Sequence, residues 1–178
     1  MITDLLKRVT SALENKQIPY MLSGSLALNA YTVPRMSLDI DIVIELHEEH
    51  LNDFFEIFKE EYYVNEITVK QEVKRHGMFN VIDHYTGFKV DFIIKKETEY
   101  RIHEFSRRNR ETISDFDVWI VSPEDLVISK IEWIQQYRSD KQISDIQNLL
   151  AISKIDLNYI KFWCNKLNLI TFELLQIL

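Results

Sequence analysis

The chain has 178 residues, 28 acidic and 21 basic, for a formal net charge of −7. Its length suits one domain, its 46% hydrophobic content is enough for a full core, and its acidic balance argues against general coating of nucleic acid. No apolar run is long enough to span a membrane, the first residues lack the basic and apolar regions of a signal peptide, and the single cysteine, Cys164, excludes a disulfide framework or a cysteine-rich zinc site. A cytoplasmic protein is expected.

In chain order, Ile2, Leu5, Leu6, Val9 and Leu13 recur at helical spacing. Ile18 to Ser23 reads as a short strand opened by Pro19, and Leu26 to Ala30 as a helix closed by Pro34. Leu38 to Glu45 alternates and then turns continuously apolar, as a central strand does. Leu51, Phe54, Phe55 and Phe58 mark an amphipathic helix. Met78 to Asp83 and Phe88 to Lys95 form a predicted hairpin turning at His84-Tyr85-Thr86-Gly87. Phe116 to Val121 is a further strand.

Beyond it the chain turns helical. Ser122-Pro123-Glu124-Asp125 is a strong helix start, with Ser122 as cap and Asp125 completing a capping box. Three helical patterns follow, and Phe172 to Leu178 is expected to be a fourth, serving either as a packed last helix or as an oligomer or partner contact. The expected organisation is an α/β (α+β) core over residues 1–121, a small mixed sheet with helices on it, and a helical region over 122–178 packed on that core.

The chemistry concentrates in Gly24-Ser25, Asp39-Ile40-Asp41 and Asp91. Residues two apart on a strand share a face, so Asp39 and Asp41 stand side by side. Asp91 interrupts an otherwise apolar strand. Two such charges about 4 Å apart repel by roughly 4 kcal/mol at an effective dielectric of 20, so three need compensating cations. Hard divalent ions suit oxygen ligands, and a pair of Mg²⁺ ions, or Mn²⁺, would clamp both oxygens of a phosphoryl or nucleotidyl transfer. Gly24 lets backbone approach a polyphosphate, and the helix after it offers free N–H groups, with Ser25 adding a hydroxyl.

Gly24-Ser25, thirteen residues, Asp39-Ile40-Asp41-Ile42 and later Asp91 resemble the signature of the DNA polymerase beta-like nucleotidyltransferase superfamily. Ser122-Pro123-Glu124-Asp125-Leu126 with Lys130, then Asp140-Lys141 and Asp145-Ile146, is similar to the AbiEii-type branch, some of whose members are toxins of toxin–antitoxin pairs. The resemblance spans roughly Ile18 to Leu150. It implies that Asp39, Asp41 and Asp91 hold the metal ions, that Gly24 and Ser25 hold the triphosphate, and that Lys130 reaches the phosphates. The implied reaction moves a nucleoside monophosphate from a nucleoside triphosphate to an acceptor hydroxyl: an RNA end, a protein or a small molecule. Asp91 is placed to accept that hydroxyl's proton.

Other residues have plainer readings beside the functional one. Arg35 either contacts phosphate or makes a structural ion pair. Lys130 has a surface lysine as its alternative, and Asp140 and Asp145 read as braces for the last helices. The basic run Arg101, His103, Arg107, Arg108, Arg110 reads first as a solvated helix face, second as a contact for RNA or phosphate. A catalytically silent binding module would be marked by loss of a carboxylate, and all three are kept.

Overall fold

The computed structural model describes residues 1–176. Seven strands form one mixed sheet: β1 (Tyr20–Ser23), β2 (Asp39–Ile44), β3 (Tyr62–Val64), β4 (Met78–Asp83), β5 (Lys89–Ile94), β6 (Asn109–Ile113) and β7 (Phe116–Ile120), in the order β3-β4-β5-β2-β1-β7-β6. β2 runs parallel to β5, and β1 parallel to β7; the other neighbours are antiparallel. Helices α1 (Ile2–Asn15), α2 (Gly24–Tyr31), α3 (Leu51–Phe58), α4 (Glu66–Arg75) and α5 (Glu99–Ser106) interleave with the strands, and α6 (Pro123–Ile134), α7 (Asp140–Leu150) and α8 (Leu157–Lys166) follow them. This is the expected mixed α/β fold. No helix among the described residues is long and apolar enough to cross a membrane.

The alternation in β2 decides which sheet face is dry. Ile40, Ile42 and Ile44 are fully buried, whereas Asp39, Asp41 and Val43 between them keep partial access to solvent. On the dry face α3 lays Phe54 against Phe79 of β4 and Phe92 of β5, and Phe58 against Phe92, ring centroids 5.3–5.6 Å apart. Each such pair adds about 0.5–1.5 kcal/mol beyond its area burial. One hydrophobic cluster runs from Leu5 to Leu175, so α6, α7 and α8 share their core with the sheet. Cys164 lies in that core, where burial pushes its thiol up to about 11.

Four expectations change. Phe172 to Gln176 forms turns with left-handed backbone at Phe172 and Glu173, not a helix; residues 177 and 178 of that predicted segment lie outside the described residues. The basic run is not one solvated helix face: α5 stops at Ser106, Arg110 sits in β6, and Arg101, Arg107 and Arg110 are tied to Glu104, Asp125 and Glu14. Ser122 does cap α6, its hydroxyl oxygen accepting from the Asp125 amide at 3.1 Å. The Asp125 carboxylate, however, accepts from Ser122, Tyr159 and Arg107 rather than closing a reciprocal box onto backbone. Finally, β3, α4 and β6 had no place in the sequence reading; β6 has no buried position and α4 buries only Val69, Glu72 and Val73, so neither shows a clear period.

Candidate active site

The open face of the sheet gathers the carboxylates. Asp41 is the register partner of Asp91 on β5 and of Ser23 on β1. Residues directly opposite across a ladder point to one side with Cβ atoms about 4.5–5.5 Å apart, so these three side chains form a row. Asp39 stands on the same face two residues before Asp41, opposite Lys89. The Lys89 ammonium lies 2.7 Å from Asp91 Oδ2 and 4.0 Å from Asp39 Oδ1, bridging carboxylates of two strands.

Asp41 feels this crowding most. Burial pushes its carboxyl pKa up, and the charges of Asp91 and Asp39 push it further, with only partial relief from Lys130 and Lys89. Lys89 is held above the usual lysine range, chiefly by its hydrogen bond to Asp91. Three carboxylates facing one ammonium leave an excess of negative charge that a hard divalent cation would neutralise. Among the described residues no three His, Cys, Asp or Glu side chains already form a metal cage. The donors are all hard oxygens and Lys89 stands where a cation belongs, so the set fits Mg²⁺ or Mn²⁺ once Lys89 swings aside.

Gly24 opens α2 with φ +63°, and a Cβ built on it would fall 1.9 Å from Asp41 Oδ2. The backbone at the helix start is therefore pressed against the carboxylate, an approach that any side chain would block. Next to it, the Ser25 hydroxyl accepts from Arg35 Nη2 at 2.7 Å. Arg35 also grips Asp145 with both arms of its guanidinium, Nε to Oδ1 at 3.0 Å and Nη2 to Oδ2 at 2.8 Å. Lys130 donates to the same Asp145 Oδ2 at 2.8 Å and to Gln142 at 2.8 Å.

Two sequence readings change here. Lys130 is buried, not a surface lysine, because α6 packs between α2, α7 and α8 and hides most of its circumference. Arg35 does make an ion pair, and the pair ties the Ser25 turn to Lys130 through Asp145. Asp140, by contrast, only occupies the first turn of α7, which Ser139 caps. Burial lowers the pKa of Lys130 and the hydrogen bond from its ammonium to Asp145 partly restores it. Burial also pushes Asp145 up, but the hydrogen bonds from Arg35 and Lys130 outweigh it and hold the carboxyl below its usual range.

A test follows for this hub. Asp145→Ala strands two partly or wholly buried cations, which typically costs about 3–5 kcal/mol, read by urea unfolding. Because the folded-state pKa lies below the unfolded one, the contribution of Asp145 is present above about pH 4 and fades as the pH falls through the depressed value. A variant whose unfolding midpoint shifts equally at pH 7 and at low pH would contradict it.

Sequence reasoning passed over Lys89, Ser23 and Asn80, the last being the partner of Asp91 on β4. The signal for Lys89 was available: Lys89-x-Asp91 has the same two-residue period as Asp39-x-Asp41.

A family model described as nucleotidyltransferase of unknown function, DUF6036, matches residues 1–171. No curated protein matches the chain in sequence. Among solved structures, the antibiotic-resistance factor ANT(2'')-Ia superposes with a TM-score of 0.61 at 14% identity, covering 93% of this chain and 90% of that one. The lincosamide antibiotic adenylyltransferase LnuA, bound to lincomycin, gives 0.56 at 14% identity, covering 83% of this chain and 96% of its own. TM1012 from Thermotoga maritima gives 0.54 at 15% identity and 93% of both chains. At such identities the three show a shared fold. The family match covers nearly the whole chain and includes the carboxylate row, the Gly24-Ser25 turn and the Lys130 helix: the chain is a nucleotidyltransferase of the DUF6036 family.

Proposed function

We propose that the chain transfers a nucleoside monophosphate from a nucleoside triphosphate to an acceptor hydroxyl in a Mg²⁺-dependent reaction, in the cytoplasm. The observation that carries this is the row of Asp41 and Asp91 in register, with Asp39 beside them and Gly24 pressed against Asp41. Asp39, Asp41 and Asp91 would hold the divalent ions, which supply charge neutralisation at the reacting phosphate.

The chain's own residues do the rest. Gly24 and the first amides of α2 receive the triphosphate, the Ser25 hydroxyl donates to it, and Arg35 and Lys130 neutralise the departing pyrophosphate. The acceptor oxygen bonds to the α-phosphorus while the bond from that phosphorus to the α–β bridging oxygen breaks. Pyrophosphate carries away the bond's electron pair, and the acceptor's proton passes to Asp91. Positioning and electrostatics account for the rate, since no covalent intermediate with the protein is needed. A silent binding module has no use for a Gly24 cradle built against a carboxylate, which favours the enzyme.

LnuA is named as an antibiotic adenylyltransferase, and ANT(2'')-Ia is also known in complex with adenylyl-2''-tobramycin, which supports a small-molecule acceptor and ATP as donor. The narrower AbiEii-type toxin role makes a separate expectation: growth arrest on expression that Asp41→Asn relieves.

The direct test is thermal denaturation with each nucleoside triphosphate, with and without Mg²⁺. Stabilisation by triphosphate that requires the metal is expected; at a hundredfold excess over Kd it amounts to about 2.7 kcal/mol. Stabilisation by triphosphate equally well in EDTA, or by metal with no further response to triphosphate, overturns the reading.

A further inference from the structure

The carboxylate row continues into a cavity of about 330 Å³ on the same sheet face. Its floor is Ser23, Val43 and Ile93. Val43 and Ile93 are register partners, each two residues beyond a carboxylate of the Asp41–Asp91 pair. Two residues along a strand rise about 7 Å and return to the same face, so the cavity begins one step from the reacting centre. Its roof comes from α6 and the turn after it. Trp133 and Tyr137 lie with ring centroids 5.4 Å apart, 52% and 65% exposed although both are large and apolar-bodied.

The charges in the walls are largely spent on one another. Arg101 is paired with both Glu104 and Glu132, and Lys95 with Glu45 and Glu97. Lys96, the remaining charged residue of the lining, has no ion-pair partner among the described residues, so the aromatic-roofed cavity carries a single unpaired positive charge. A site for a nucleic-acid strand needs an unneutralised basic groove, which these pairings do not provide. Its volume is at the lower end of that of small-molecule pockets.

Direction decides what enters. Ser23 pairs with Asp41 in an antiparallel ladder, so Gly24-Ser25 continue towards the start of β2, where Arg35 holds Ser25 and pyrophosphate would leave; the cavity floor at Val43 and Ile93 lies towards the end of β2. In phosphoryl transfer the attacking and leaving oxygens are roughly in line across the phosphorus, so the acceptor enters opposite the pyrophosphate. We propose that this cavity is the acceptor site and that the acceptor is a small, uncharged alcohol whose ring stacks on Trp133 and Tyr137 while its hydroxyl reaches towards Asp91. The inference rests on the nucleotidyl-transfer reading above. The hydroxyl oxygen forms the new bond to the α-phosphorus, the bond to the bridging oxygen breaks, and the hydroxyl proton goes to Asp91.

The test combines two readouts on the full chain. An extract of the native host, split at about 3 kDa, is incubated with the four α-³²P-labelled nucleoside triphosphates and Mg²⁺, and the Mg²⁺–triphosphate thermal shift is measured in parallel. Wild type, given the low-mass fraction, is expected to convert labelled triphosphate into a new low-mass labelled species that thin-layer chromatography resolves from the nucleotides. Trp133→Ala/Tyr137→Ala is expected to lose at least tenfold of that species while keeping the thermal shift, and Trp133→Phe to recover most of it. Label on RNA or protein, a new low-mass species indifferent to the double variant, or no new labelled species with either fraction despite a thermal shift would overturn the proposal. So would loss of the thermal shift in the double variant, which would make the cavity the nucleobase site. Absence of a Mg²⁺-dependent shift in wild type would instead sink the nucleotidyl-transfer reading itself.

Discussion

Asp41→Asn is expected to lower nucleotidyl transfer by a factor on the order of 10²–10³ and, in the absence of metal, to raise the melting temperature. The two effects have one cause. Asp41 is hemmed in by burial and by Asp91 and Asp39, so its carboxyl is pushed above the ordinary range. A raised folded-state pKa means that the group favours folding when protonated, below its unfolded pKa, and that this contribution is lost as the pH rises through the folded value. At neutral pH the ionised side chain is a liability that asparagine removes at nearly constant shape. A gain of about 1 kcal/mol corresponds to roughly 2–4 °C in a chain of this size. Mg²⁺ should then stabilise wild type, by neutralising the row, far more than the variant. The measurements are transfer of labelled monophosphate and melting curves with Mg²⁺ and with EDTA, at pH 5 and pH 8. The variant's advantage in EDTA should be larger at pH 8. A variant that melts lower than wild type in EDTA at both pH values would show that Asp41 is an ordinary structural carboxylate.

The same crowding explains how much of the site was legible in the sequence. Asp39-x-Asp41 on a strand and Asp91 inside an apolar one are local patterns, and period two alone puts each on the face away from Ile40, Ile42 and Phe92. Their meeting depended on β2 and β5 being parallel neighbours, which local pattern does not dictate and the resemblance supplied. Lys130 was harder. A lysine among isoleucines on a helix reads as the polar stripe, and only the packing of α2, α7 and α8 around α6 reveals that this stripe is covered. Its partner Asp145 lies 15 residues on, and Arg35 lies 110 residues from that aspartate, so the hub is a long-range product of the fold. The tail failed for the opposite reason. Phe172 to Leu178 is apolar enough for a helix, yet Leu174 and Leu175 bury themselves from a turn.

Gly24→Ala should damage activity more than stability. Alanine at φ +63° meets the left-handed penalty of about 1–2 kcal/mol, as it would in any turn. Here its methyl group also lands 1.9 Å from Asp41 Oδ2, 2.6 Å from Cγ and 2.9 Å from Cβ. Rotating the carboxylate away does not relieve the contact with Cβ, so either β2 or the start of α2 must shift. Both carry the reacting groups, and a displacement of about 1 Å in such a site costs about 10²-fold in rate. Gly87 provides the control within the same molecule. It has nearly the same backbone angle, φ +71°, in the β4–β5 turn, but a Cβ there would have nothing within 4 Å. Gly87→Ala should therefore show the backbone penalty in urea unfolding with transfer retained, whereas Gly24→Ala should show at least that penalty with transfer reduced about a hundredfold or more. Equal activity losses in the two variants would mean that Gly24 is only a turn glycine, and that its contact with Asp41 plays no part in catalysis.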